Sequence, residues 1–140
     1  MSSPAWWLER KFRQMLARPL SPPVRDVQPD EICTSVDIII PVFGAAELLK
    51  RCIDSVLEHT DLEQHSAVLI CDGPQPAAVE EVLRSAGGIE IERLPLHGGF
   101  VRTVNEGMRR SRRDVVLLNS DTVVTTRWIE KLSRAAASSR

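Results

Sequence analysis

A chain of 140 residues has room for one ordinary domain or for part of a larger one. Its 43% hydrophobic and 26% charged content is that of a soluble globular protein, and a net charge of −1 argues against general nucleic-acid binding, which needs a basic excess. No stretch approaches the roughly 20 apolar residues of a membrane span, and Glu9, Arg10, Lys11 and Arg13 interrupt the N-terminus where a signal peptide would keep an apolar core.

Residues 1–18 form a first unit. Within "PAWWLERKFRQMLAR", Leu8, Phe12, Met15 and Leu16 share one helical face, and Trp6 and Trp7 stand at its start. A cationic amphipathic helix of this kind can lie on a membrane surface, or it can dock on its own domain or on a partner protein. Residues 19–35 open with "PLSPPVRDVQPDE", whose prolines lack backbone donors and disfavour helix, so they read as a linker.

The texture changes at Val36, where a third unit, residues 36–140, begins. "VDIIIPVF" is short, apolar and β-branched, a buried first strand that Pro41 is expected to terminate. Gly44 then opens a helix in which Ala45, Leu48, Leu49, Cys52, Ile53, Val56 and Leu57 recur at helical spacing, with Lys50 and Asp54 paired outside. "SAVLICDG" reads as a second strand and "PAAVEEVLRSAGG" as a second helix, with Gly87 and Gly88 suited to its left-handed end. "IEIERL" alternates as a third strand. "GGFVRTVNEGMRRS" reads as a third helix with Val101, Val104 and Met108 inward; "DVVLLN" is a fourth strand, buried on both faces, and "RWIEKLSRAAAS" starts another helix.

Strand and helix thus alternate at short spacing. The pattern predicts an α/β fold: a doubly wound, mainly parallel sheet with helices on both faces. Ligands of such sheets gather beyond the carboxyl ends of the strands. At those ends stand Pro41-Val42-Phe43-Gly44, Asp72-Gly73, His97-Gly98-Gly99 and Asn119-Ser120-Asp121, so polar groups and glycines converge on one rim. The cysteines, Cys33, Cys52 and Cys71, form no Cys-x-x-Cys pair, which favours a reduced cytoplasmic setting over a disulfide framework.

In this order, "VDIIIPVFGAAELLKRCIDSVLEHT", "LICDG", "HGGFVRTVNEGMRRS" and "DVVLLNSDT" resemble the N-terminal half of family-2 glycosyltransferases, inverting enzymes with the Rossmann-like GT-A fold. The resemblance runs from about Val36 to Ala135. It implies a nucleotide-sugar site that includes Pro41, Val42, Phe43, Asp72, Asn119, Ser120 and Asp121, with Asp121 holding a divalent cation, Mg²⁺ or Mn²⁺, that bridges the donor's phosphates. Arg102 is a candidate for a bidentate phosphate contact.

Two departures from the family pattern stand out. Cys71-Asp72-Gly73 replaces the frequent Asp-Asp-Gly, and Asn119-Ser120-Asp121 replaces Asp-x-Asp. The implied partners are a nucleotide-diphosphate sugar donor and a sugar, lipid or protein acceptor. The implied general base has no match here and is expected beyond residue 140, so the chain reads as the donor half of an enzyme, with little or no turnover by itself. A non-catalytic nucleotide-binding or docking module that uses residues 4–18 is the competing reading. His97, His59 and His65 read as ordinary loop residues, Cys52 as packing, and Arg109, Arg110, Arg112 and Arg113 as an exposed helix end.

Overall fold

The computed structural model describes residues 35–138. The expected N-terminal helix and most of the expected linker lie outside the described residues. The elements follow in strict alternation: β1 (Val36–Val42), α1 (Ala46–His59), β2 (Ser66–Cys71), α2 (Ala77–Arg84), β3 (Glu90–Arg93), α3 (Phe100–Arg110), β4 (Asp114–Leu117) and α4 (Trp128–Ser138).

All strand pairs are parallel, and the sheet order is β3-β2-β1-β4. The chain therefore steps outward from β1 to β3 and then returns to lay β4 on the other side of β1. Parallel crossovers are right-handed, so this reversal moves the connecting helix to the opposite face. The packing agrees. Ile38, Ile40, Val42, Leu69 and Cys71 meet Leu49, Cys52, Ile53 and Val56 of α1, Val79 and Leu83 of α2, and Trp128 and Ile129 of α4. Ile39 and Ile70 face the other way, towards α3.

Several expectations change, among them the inward placing of Leu48 and Leu57, which are 40% and 37% exposed. Pro41 does not end β1, which runs on to Val42 and pairs with β2 as far as Cys71. What Pro41 ends is the ladder to β4. The last rung there is the Leu118 amide donating to the Ile39 carbonyl at 2.9 Å, and the next rung would need an amide on residue 41 that proline lacks. The chain after Leu118 is thus released from the sheet.

β4 is also not buried on both faces. Val115 and Val116 are half-buried and Leu117 is 39% exposed, because β4 is the outer strand of the described sheet.

The inward face of α3 differs as well. Val104 is buried, but Val101 is 71% and Met108 46% exposed, while Thr103 and Gly107 face the sheet. A Cβ on Gly107 would stand 2.6 Å from Ile39 Cγ2 and 2.7 Å from Ile70 Cδ1, so the helix sits too close to the strands for larger side chains.

The surface pair Lys50–Asp54 forms as expected, at 2.6 Å. Arg109 and Arg110 are neutralised by Glu106 and Glu92. At the amino end of the sheet, His65 is buried rather than loose, and its Nδ1 accepts the Val36 amide at 3.3 Å.

Candidate functional site

β1 and β4 flank the point where strand order reverses. Their following loops face each other across a depression of about 290 Å³, walled by Pro41, Phe43, Leu48 and Phe100 and by Asn119, Ser120 and Asp121. Gly44 (φ 86°) and Ala45 (φ 54°) both take left-handed backbone just before α1. No side chain caps that helix, so the amides of its first turn keep their hydrogen-bonding capacity beside the depression.

The loop carrying Asp121 is held by α1. Its turn closes with the Thr122 amide donating to the Asn119 carbonyl at 3.1 Å, and the Cys52 thiol donates to the same carbonyl at 3.7 Å. Ser55 Oγ accepts the Val124 amide at 3.0 Å and donates to the Cys52 carbonyl at 2.8 Å. Trp128 Nε1 donates to Thr60 Oγ1 at 3.0 Å, tying the start of α4 to the end of α1. Burial pushes the Cys52 thiol up to about 11; the Thr122 amide opposes that rise and the Asp121 charge adds to it. Cys52 therefore stays protonated and serves as a prop. Asp121 itself is exposed, and among the described residues no hydrogen bond or ion pair ties down its carboxylate.

A second depression, about 450 Å³, is lined by Phe43, Gly44, Asp72, Pro74, Gln75, Pro76 and His97. Phe43 and Gly44 belong to both, so the two adjoin along that ridge. The Phe43 ring lies 6.0 Å from the Phe100 ring, tilted by 32°.

Asp72 is buried, and its oxygens are engaged: Oδ1 accepts the Gly98 amide at 2.7 Å and Oδ2 the Gly99 amide at 3.1 Å. Burial is the largest single influence on its carboxyl and raises the pKa. The Gly98 and Gly99 amides, the Thr103 hydroxyl and His97 together outweigh it and hold the group below the usual carboxylate range. Gly73 (φ 72°) admits no side chain, since a Cβ there would lie 2.7 Å from the His97 nitrogen and 2.9 Å from its ring. The β2 and β3 loops are thereby locked together.

The structure thus brings Pro41, Phe43, Asn119, Ser120 and Asp121 to one depression and Asp72 to its neighbour, all on one rim. Val42 is fully buried, and Arg102 lies along Gly98 and lines neither depression. Sequence reasoning missed Ser55 and Gln75. Ser55 carried a signal, a hydroxyl on the inward face of an apolar helix; Gln75 carried only its place between Pro74 and Pro76.

An open parallel sheet whose order reverses between β1 and β4, with adjoining depressions at that point, defines a doubly wound α/β domain. The family is narrower. The profile of Glycosyl transferase family 2 matches residues 37–140, and the chain belongs to that family. No curated protein sequence matches the chain.

Among solved structures, the chain is similar to a mannosyltransferase from Pyrobaculum calidifontis in complex with GDP-Man and Mn²⁺. The TM-score is 0.64 and the identity 17%, over 95% of this chain and 39% of that one. It is also similar to S. aureus TarS (TM-score 0.59, 16% identity, 74% of this chain and 19% of that one). The TarS fragment 1–349 in complex with UDP-GlcNAc gives a TM-score of 0.60 at 16% identity, over 74% and 30%. The fold is the GT-A fold, and the chain spans about two fifths or less of the length of these proteins. Among the described residues, no helix is long and apolar enough to cross a membrane.

Proposed function

We propose that this chain is the donor-binding half of an inverting glycosyltransferase that moves a sugar from a nucleotide-diphosphate sugar to an acceptor hydroxyl. Family membership supports the reaction class. One observation carries the site: the untethered Asp121 carboxylate stands at the strand-reversal point, one ridge away from a depression of nucleoside size.

The donor atoms present suit a hard cation. Asn119, Ser120 and Asp121 offer oxygens, and among the described residues no three His, Cys, Asp or Glu side chains gather into a cage. That fits Mg²⁺ or Mn²⁺, which keep waters and substrate phosphates as ligands and need only one or two carboxylates. When bound, the cation would offset the charge that builds on the departing diphosphate as the glycosidic bond breaks.

The chain's own groups do the rest of the holding. Asn119 and Ser120 offer hydrogen bonds to ribose or phosphate, and the open amides of α1 face the same depression. Phe43 and the Asp72-supported loop flank the nucleoside. Arg102 packs along Gly98 outside both depressions and is left as a candidate phosphate contact. Inversion requires an acceptor oxygen in line with the breaking bond, and the base that takes its proton is assigned to no residue of this chain.

Calorimetric titration of UDP and GDP into the 140-residue protein, with and without Mn²⁺, tests the reading. Metal-dependent binding that Asp121→Ala weakens by about tenfold or more is expected, with little or no sugar transfer by the chain alone. Metal-dependent binding left intact by Asp121→Ala would remove the assignment.

A further inference from the structure

The polar segment after β4 is an arch with two feet. Leu118 and Val124 are buried, while Asn119, Asp121 and Val123 between them are exposed. The near foot is held by the sheet, through the Leu118 amide on the Ile39 carbonyl, and by the Cys52 thiol on the Asn119 carbonyl. The far foot is tied to Ser55 Oγ, which accepts the Val124 amide at 3.0 Å. A helical serine can satisfy its own hydroxyl by donating to a carbonyl one turn back, and Ser55 does so to Cys52 at 2.8 Å. That bond commits the proton and leaves the lone pairs of Oγ for the arch. Alanine would fill the same buried place on the inward face of α1; what it lacks is the bond to Val124.

From this we infer that Ser55 is a positioning residue for the Asp121 carboxylate: it sets where that group stands, through the backbone of the arch, without touching the ligand. This rests on the nucleotide-sugar reading above and names the residue that aims its cation-holding group. Among the described residues no hydrogen bond or ion pair ties down the Asp121 carboxylate, so the backbone that carries it decides its place. A small hard cation tolerates little error in the position of its ligands. Release of the far foot lets the carboxylate wander, and the loss falls on the metal-dependent part of binding. A serine that served stability alone would behave differently. Its removal would make the chain easier to unfold, yet the buried Val124 side chain would still seat the arch and the folded site would bind as before.

The test is a double-mutant cycle on the 140-residue protein, reading Mn²⁺-supported binding of UDP and GDP by calorimetry, with circular dichroism confirming that each variant is folded. Ser55→Ala is expected to weaken that binding about threefold to tenfold when Asp121 is present, and by less than about twofold in an Asp121→Asn background. Ser55→Thr, whose hydroxyl can make the same two bonds, should recover most of the loss. Where Asp121→Asn binds too weakly to titrate, that recovery decides. Ser55→Cys, close in size and a weaker acceptor, takes the place of Ser55→Ala in the cycle if the alanine variant does not fold. A folded Ser55→Ala that binds as the wild type does overturns the inference while leaving the donor-binding reading standing. So does a penalty that is undiminished in Asp121→Asn, or one that Ser55→Thr fails to relieve. Failure of the wild type to bind either diphosphate, or metal-dependent binding that Asp121→Ala leaves intact, overturns both.

Discussion

Asp72→Ala is expected to destabilise the fold as well as the site. The carboxylate accepts two amides, from Gly98 at 2.7 Å and Gly99 at 3.1 Å. Hydrogen bonds to charged groups contribute about 1.5–3 kcal/mol each. Both glycines are exposed, so water recovers part of the loss when the carboxylate is removed. The lower end of the range therefore applies, and the net cost is about 2–3 kcal/mol. Asp72→Asn keeps one acceptor and should lose about half as much. For a domain of this size, the alanine variant should melt roughly 10–15 °C lower.

Urea unfolding at neutral pH measures the difference directly. The pH dependence supplies a second signature. Because the folded carboxyl lies below its usual value, the unfolded chain takes up the proton first. The stabilisation is whole above about pH 4 and drains away as pH falls through the folded value, and Asp72→Asn should lack that acid dependence. A loss below about 0.5 kcal/mol for Asp72→Ala, with acid sensitivity unchanged, would refute the clamp.

At Gly107, valine should cost about 1–3 kcal/mol by overpacking against Ile39 and Ile70. Alanine should cost less, because it regains about 1 kcal/mol of helix propensity; denaturation of both variants checks the order. Ser55→Ala leaves the Val124 amide without its acceptor in a buried place, a loss of about 1–3 kcal/mol. Hydrogen exchange at Val124 should quicken, and unchanged protection there would show that Ser55 does not hold the loop. Burial, the leading influence, lowers the His65 pKa, Arg113 adds to the shift, and Asp61 opposes it. The sign follows: stability is whole above about pH 6.5 and falls as pH drops through the lower folded value, where a protonated Nδ1 no longer accepts the Val36 amide. His65→Gln should flatten that slope in unfolding measured from pH 8 to 5.

What the sequence made legible was periodic. The alternation of β-branched runs with amphipathic stretches is a local property, and it located every described element and the rim on whose adjoining depressions Asp72 and Asp121 stand. What it hid depended on distance or on smallness. Val101 and Met108 looked inward because apolar residues score as core. The space under α3 is instead too narrow for them, and Thr103 and Gly107 fill it. His65 and Ser55 take their meaning from partners 29 and 69 residues away, Val36 and Val124, which no local pattern announces. Asp72 was legible as a strand-end acid. That its oxygens would be taken by Gly98 and Gly99 was not, because only the fold brings those amides within reach.

The two walls of the site are built by different means, and this bears on how a ligand meets them. On one side, Cys52 and Ser55 of α1 prop the Asn119–Val124 segment after Pro41 has ended the ladder that would otherwise carry it onward as strand. On the other side, Asp72 and Gly73 lock to His97, Gly98 and Gly99. Each wall is thus fixed to the sheet by hydrogen bonds within the chain. The ridge between them is different in kind. Gly44 and Ala45 hold left-handed backbone there, the helix behind them is uncapped, and the Phe43 side chain is 44% exposed. Rigid walls with an unsatisfied ridge favour a ligand that can touch both depressions at once, with a flat ring for one and an anionic group for the other. The entropy of ordering the walls is spent on folding rather than at the moment of binding, which is the condition under which the proposed nucleoside-diphosphate binding would cost least.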